Sequence, residues 1–174
     1  MLQLVIGNKN YSSWSLRPWL LLRHFEVPFH EVRLPLDTAE FQQRIPDYSP
    51  TGRVPVLHDG ARVVWDSLAI CEYVNEMFLE GRGWPADPAV RYLARCAAAE
   101  MHSGFAALRA QLPMNCRRTP NAYRWKADAD ADIRRVLTLW RDLRRRSSGP
   151  FLLGDFGIVD AMFAPVAIRF RGYG

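Results

Sequence analysis

Val54-Pro55-Val56-Leu57-His58-Asp59-Gly60-Ala61-Arg62-Val63-Val64-Trp65-Asp66-Ser67 is the stretch that decides the fold. Two short runs, Val54–His58 and Arg62–Trp65, flank Asp59-Gly60, residues that accept the positive φ of a tight turn. The spacing predicts an antiparallel hairpin. Ser67–Phe78 follows with helical periodicity and places Leu68, Cys71, Val74 or Asn75, and Phe78 on one face. Upstream, Leu2–Ile6 reads as a buried strand and Phe29–Leu34 as a second one. Between them Ser15–Phe25 reads as a helix that tolerates Pro18 in its first turn. A short helix is expected at Ala39–Arg44. The order βαβ, short helix, ββα predicts a small α/β sheet domain over residues 1–80.

Downstream the chain changes character. Residues 81–88, rich in Gly and Pro, read as a linker. Residues 89–174 read as helical throughout. Asp87-Pro88 supplies a capping acid and a proline at the first helical position, and a helix from there to about Leu112 is expected. Thr119-Pro120 repeats that signal for a helix to about Arg146. Gly157-Ile158-Val159-Asp160 opens a third, with Asp160 placed to cap back and Pro165 expected to kink it. No closing helix follows before Gly174, so the helical part reads as truncated.

Composition narrows the function classes. Hydrophobic residues make up 49% and charged residues 24% of the 174, ordinary for a globular protein. No stretch approaches the roughly 20 apolar residues of a membrane span. The N-terminus lacks the basic region and cleavage site of a signal peptide, and a cytoplasmic location is expected. Cys71, Cys96 and Cys116 form no close pair and no cluster with the four histidines, which suits reduced thiols and not a zinc site. Residues 1–80 hold 7 basic and 10 acidic side chains, net −3; residues 81–174 hold 16 and 8, net +8. The basic excess peaks at Arg141–Arg146, where cations complement a helix C-terminus, and no aromatics interleave with it as a single-strand nucleic-acid surface requires.

The chemistry-bearing segment is Tyr11-Ser12-Ser13-Trp14-Ser15-Leu16-Arg17-Pro18-Trp19. Ser12, Ser13 and Ser15 stand where a strand gives way to a helix. Backbone N–H groups and the positive end of a helix dipole gather there, so hydroxyls at that point can hold an anion or an anionic sulfur. One helix cap accounts for one serine, not three.

With these motifs the chain resembles a glutathione transferase, which joins a thioredoxin-like domain to an all-α domain. Ser-Ser-Trp-Ser-Leu-Arg is similar to the zeta-class signature and, more loosely, to the theta-class serine site. The resemblance implies that one serine donates a hydrogen bond to the glutathione sulfur. Counting fifteen residues back from Val27 lands on Ser12, with Ser13 as the alternative and Ser15 third. Gly52-Arg53-Val54-Pro55-Val56-Leu57 resembles the family's cis-proline segment, whose Val54 backbone would pair with the cysteinyl part of glutathione, with Arg53 beside it. Asp66-Ser67 resembles the acidic-then-serine pair that holds the γ-glutamyl group, although most members carry Glu or Gln at the first position. Gly154–Ala161 resembles a structural capping box, with Gly157 where Ser or Thr is usual.

The implied reaction is attack of a glutathione thiolate on a small hydrophobic electrophile, with glutathione as co-substrate and no metal. Tyr11 and Trp14, together with Met101, His102, Phe105 and Arg109 from the first long helix, are the candidates for lining the electrophile's pocket. Trp14 holds the place of a beta-class cysteine, which argues against thiol–disulfide chemistry. Two alternatives stay open: a zeta-like cis–trans isomerase of the maleylacetoacetate type, and a non-catalytic glutathione-binding module. A homodimer is expected, and neither nucleic acid nor membrane is an expected partner.

Overall fold

The computed structural model describes residues 1–174, which divide into two compact units, Met1–Glu80 and Gly81–Gly174. The first is built from β1 (Leu2–Ile6), α1 (Ser13–His24), β2 (Phe29–Arg33), α2 (Ala39–Arg44), β3 (Val56–Asp59), β4 (Arg62–Trp65) and α3 (Ser67–Phe78), with a short 3₁₀ turn at Ile45–Asp47. The strand order is β2-β1-β3-β4. β1 runs parallel to β2 and antiparallel to β3, and β3 pairs antiparallel with β4. This mixed sheet is the small α/β domain expected from the sequence, in the thioredoxin-like arrangement that the resemblance implies.

Alternation along the strands separates two apolar layers. Val5 and Val56 join Leu34, Phe41 and Ile45 in a cluster under α2, each fully buried side chain stabilising the fold by about 1.5–3 kcal/mol. Leu4 and Leu57, paired in register and 0% exposed, point to the opposite face. α1 and α3 pack against one another there, burying Leu21, Leu22, Ile70, Cys71 and Val74.

Four details of this unit differ from the sequence reading. α1 begins at Ser13, so Pro18 lies inside the helix, beyond its first turn. β3 begins at Val56, because Pro55 has no N–H for a ladder bond; the Val54–Pro55 bond is cis. Of Asp59-Gly60 only Gly60 takes positive φ, and the pairing of Asp59 with Arg62 leaves Gly60-Ala61 as the two-residue loop. The buried stripe of α3 is Ser67, Ile70, Cys71, Val74 and Asn75, while Phe78 is 37% exposed.

The second unit contains α4 (Pro88–Ser103), α5 (Ala106–Gln111), α6 (Ala127–Arg144) and α7 (Ile158–Tyr173). Asp87 caps α4 as expected, its Oδ1 accepting the Ala89 N–H at 2.8 Å. The helix expected to reach Leu112 breaks instead at Gly104-Phe105. Phe105 takes φ +55°, and a Cβ at Gly104 would meet the Glu100 carbonyl oxygen at 2.7 Å. Asp132 of α6 serves the restarted helix, accepting the Leu108 N–H at 3.0 Å. Thr119-Pro120 starts no helix; α6 begins at Ala127, where Asp128 and Asp130 favour the positive end of the dipole. Arg135 joins α6 to α4 through two 2.7 Å bonds to the Glu100 carboxylate. α7 opens as expected: Asp160 accepts the Gly157 N–H at 3.0 Å and the Leu152 N–H at 2.9 Å, and the helix continues through Pro165. No helix is long and apolar enough to cross a membrane.

Candidate functional site

Strand register brings the three sequence motifs to one end of the sheet. Val5, near the C-terminal end of β1, pairs with Val56 at the start of β3, and Val56 pairs with Trp65 at the end of β4. The chain leaving β1 enters the serine segment, the chain entering β3 is Val54-Pro55, and the chain leaving β4 is Asp66-Ser67. An antiparallel hairpin against an antiparallel neighbour makes that convergence unavoidable.

The serine segment is held from behind. The Asn8 carbonyl accepts the Tyr11 and Ser12 N–H groups at 3.0 and 2.8 Å, and Asn8 Oδ1 accepts the Leu36 N–H at 2.8 Å. Ser12 occupies the N-cap position of α1 without making a side-chain cap. Its hydroxyl donates to Ser15 Oγ at 2.7 Å, and Ser15 Oγ also accepts the Gly7 N–H at 3.2 Å. Ser12 and Ser15 are buried, at 8% and 3% exposed, whereas Ser13 is half-buried. Ser15 therefore braces the strand end against the helix start, and Ser12 rests on Ser15. Ser12 and Ser15 also line a cleft of about 100 Å³ with Ile6, Gly7, Lys9 and Trp19. Beside it, Glu31 accepts from Lys9 at 2.9 Å and from the Trp19 indole at 2.8 Å. Burial works against that charge, but the Lys9 and Trp19 hydrogen bonds outweigh it and hold the Glu31 carboxyl below its ordinary value.

Before β3, the buried Ser49 hydroxyl organises the loop, accepting the Arg53 N–H at 3.2 Å and the Thr51 N–H at 3.4 Å. Gly52 takes φ +66°, Arg53 is exposed, Val54 half-buried and Pro55 buried. At the end of β4, Asp66 takes φ +75° and caps α3, its Oδ1 accepting the Leu68 and Ala69 N–H groups at 2.9 and 3.2 Å. Ser67 is 1% exposed.

Arg17 spans the two helix starts. It is 1% exposed, lies 4.1 Å from the centre of the Trp14 ring, and donates from Nη1 to Ser67 Oγ at 3.4 Å. The N-terminus of α1 and a buried guanidinium thus face the same end of the sheet, and α1 has no acid at its cap or in its first turn, whereas the start of α3 already carries the Asp66 carboxylate on its Leu68 and Ala69 N–H groups. The uncapped start of α1 favours an anion. The Cys71 thiol is 0% exposed, and burial pushes it well above its ordinary value despite the opposing Arg17 charge.

The remaining candidates are placed as follows. Tyr11 is 58% exposed and Trp14 half-buried in the first unit. In the second unit Met101 and Phe105 are packed side chains, 0% and 6% exposed, while His102 and Arg109 are half-buried. Sequence reasoning gave Arg17 only the role of ordering the serine segment and did not name it as a binding residue, and it passed over Asn8, Lys9, Trp19 and Glu31. Only the burial of an arginine among serines and a tryptophan, invisible in composition, separates Arg17 from a surface cation.

Residues 11–77 match the family described as the glutathione S-transferase N-terminal domain. A dichloromethane dehalogenase from Methylorubrum extorquens is 46% identical over 61 residues, 34% of this chain and 21% of that protein. A probable glutathione S-transferase from Oryza sativa subsp. japonica is 43% identical over 65 residues, 36% of this chain and 30% of that protein. These matches span less than a third of either relative's length. Among solved structures, a Burkholderia glutathione transferase homolog with bound glutathione has a TM-score of 0.70 at 24% identity, covering 97% of this chain and 82% of that one. Glutathione transferase Omega 3C from Trametes versicolor has a TM-score of 0.72 at 21% identity, covering 99% and 73%. These structures share the fold.

Proposed function

We propose that the chain, whose residues 11–77 match the glutathione S-transferase N-terminal domain, is a glutathione transferase that binds glutathione and stabilises its thiolate for attack on a small hydrophobic electrophile. The observation that carries this reading is the Val5–Val56–Trp65 register, which gathers the serine segment, Val54-Pro55 and Asp66-Ser67 at one sheet end.

Glutathione is an extended tripeptide with a carboxylate at each end and a thiol in the middle. In this reading Asp66, Ser67 and the start of α3 hold the γ-glutamyl end. The Val54 backbone, just ahead of β3, pairs with the cysteinyl residue as an added strand would, with Arg53 beside it. The thiol then reaches the N-terminus of α1. Its proton leaves to solvent, and the thiolate is stabilised by a hydroxyl from Ser12 or Ser13 and by the helix dipole. Ser15, already accepting from Ser12 and Gly7, fixes the geometry and does not itself bond the sulfur. The sulfur lone pair forms the new C–S bond while the leaving group departs with its bonding electrons. No protein nucleophile is needed.

Tyr11 and Trp14 are proposed to meet the electrophile on the first unit. The reduced, scattered cysteines suit the cytoplasm. The balance of −3 over residues 1–80 and +8 over residues 81–174 favours self-association as a homodimer, which light scattering reads directly.

The test is titration of the full chain with glutathione, followed by turnover with an activated aryl halide. Saturable binding with glutathione consumed is the expected result. Binding without turnover of any electrophile marks a non-catalytic module, and isomerisation of a cis double bond without glutathione consumption marks a zeta-like isomerase. No glutathione binding at all overturns the proposal.

A further inference from the structure

Taking a cation out of water is costly unless an opposite charge answers it. Arg169, on α7, is 4% exposed and pairs with no carboxylate. Its Nε donates to the Leu112 carbonyl at 2.8 Å, and its buried Nη1 has no acceptor. The charged group acting on it is a second cation, Arg109 of α5, one turn before Leu112. Burial first and that neighbour second hold the guanidinium down to about 10, so it still carries its charge at neutral pH. The chain around it offers no acid. Residues 106–118 and 161–174 hold Arg109, Arg117, Arg118, Arg169 and Arg171, and neither Asp nor Glu. The acids that α4 and the first half of α6 bring are engaged elsewhere: Glu100 with Arg135, Asp128 with Gln111, Asp130 with Arg134 and Asp132 with the Leu108 N–H. Asp160 sits at the other end of α7, on the Leu152 and Gly157 N–H groups.

One role of Arg169 is plain. It clamps the carbonyl that ends α5, as Tyr173 clamps Pro113 at 3.1 Å and Arg171 clamps Cys116 at 2.9 Å. A neutral donor would serve for that. A clamp does not explain a full charge buried beside another cation, with Nη1 left over. We propose that Arg169, with Arg109 beside it, forms a carboxylate-binding site on the second unit, where a small organic anion supplies the missing charge. A guanidinium is a planar fork that matches a planar carboxylate. A monoanion fits better than phosphate, because burying a second negative charge adds to the desolvation. Leu112 and Tyr173, both buried and packed in one apolar cluster, put hydrocarbon beside the charge, so a ligand with an apolar body suits the place. The site lies wholly in the second unit and does not depend on the glutathione reading.

The experiment titrates the full chain by calorimetry with sodium acetate, butyrate and benzoate, each beside its neutral amide, and with sodium phosphate, all at one ionic strength. At least one carboxylate is expected to saturate a single site and to bind about tenfold or more tightly than its amide, the ratio of a charge-assisted contact. Phosphate is expected to bind more weakly than that carboxylate. Arg169→Gln keeps a donor for the Leu112 carbonyl and removes the charge. It is expected to weaken the carboxylate about tenfold or more. The carboxylate should also raise the melting temperature of the wild type and not that of Arg169→Gln, a difference that a mere clamp would not produce. Arg109→Gln, at a half-buried position, is expected to weaken the carboxylate in the same direction. A wild type that binds no carboxylate, or binds acid and amide equally, overturns the inference, and this comparison stands even where Arg169→Gln fails to fold. Unchanged carboxylate affinity in Arg169→Gln overturns it too. Phosphate binding more tightly than every carboxylate overturns the choice of anion.

Discussion

Ser12→Ala tests the sulfur contact, and the structure sets the size of the effect. The Ser12 hydroxyl is already engaged, donating to Ser15 Oγ at 2.7 Å. Turning to a thiolate exchanges a neutral hydrogen bond, about 0.5–1.5 kcal/mol, for one to a charged group, about 1.5–3 kcal/mol. The net gain is about 1–1.5 kcal/mol, which is roughly one pKa unit of the bound thiol and about a tenfold rate at a pH below it. Ultraviolet absorbance of the thiolate, followed against pH in the glutathione complex, reads the shift. Ser12→Ala is expected to raise the bound thiol by about one unit. Ser15→Ala is expected to do the opposite, because Ser12 then has no competing acceptor. That second variant also destabilises the fold by about 1–3 kcal/mol, since the Gly7 N–H loses Ser15 Oγ. If Ser15→Ala raises the thiol as much as Ser12→Ala does, the competition argument fails. If Ser13→Ala alone raises it, Ser13 is the donor and the Ser12–Ser15 bond is only scaffolding.

Further expectations concern the fold around the site. Asp160→Ala removes the acceptor of both the Leu152 and Gly157 N–H groups, and a loss of roughly 2 kcal/mol or more is expected in urea unfolding. Burial pushes the Asp160 carboxyl above its ordinary 3.8 against those hydrogen bonds, so the native state keeps its proton to higher pH than the unfolded chain. The stability it contributes is therefore full below 3.8 and is lost as pH rises through the raised value, a slope that Asp160→Asn should abolish. Gly104→Ala forces a Cβ to within 2.7 Å of the Glu100 carbonyl oxygen and should cost more than about 1 kcal/mol by thermal denaturation, with no loss refuting the close approach. A thiol reagent should label exposed Cys96 quickly and buried Cys71 only as fast as the fold opens; equal rates at neutral pH would contradict the packing of α3.

The first unit was readable because its signals are local. The β1 run, the α2 and α3 boundaries, and the hairpin all follow from short apolar runs bounded by Asp, Gly and Ser. The start of α1 was misplaced because three serines compete for one cap and the one at the N-cap position does not use its side chain. Helix signals in the second unit were ambiguous in kind. Asp87-Pro88 and Thr119-Pro120 look alike, yet only the first meets a segment that can stay helical. Asp128 and Asp130, which do open α6, could be read as ordinary surface acids. The break at Gly104 was visible as a lone glycine, but a phenylalanine at φ +55° was not. At the candidate site, residue types were legible and engagement was not: nothing local says that Ser12 leans on Ser15, or that Arg17 is buried against Ser67.

The hairpin has a consequence for how such a chain can vary in length. From Val56 to Trp65 every residue is either paired or in the two-residue loop, and the two ends abut the proposed glutathione-binding motifs Val54-Pro55 and Asp66-Ser67. Because a strand's faces alternate, one inserted residue in β4 would turn Val63 and its neighbours over and swing Asp66 to the wrong side of the sheet. Insertions after Arg33 or before Ser49 face no such parity rule. Length drift in descendants of this sequence should therefore collect on either side of α2, while the stretch from Val54 to Ser67 behaves as an indel-free ruler.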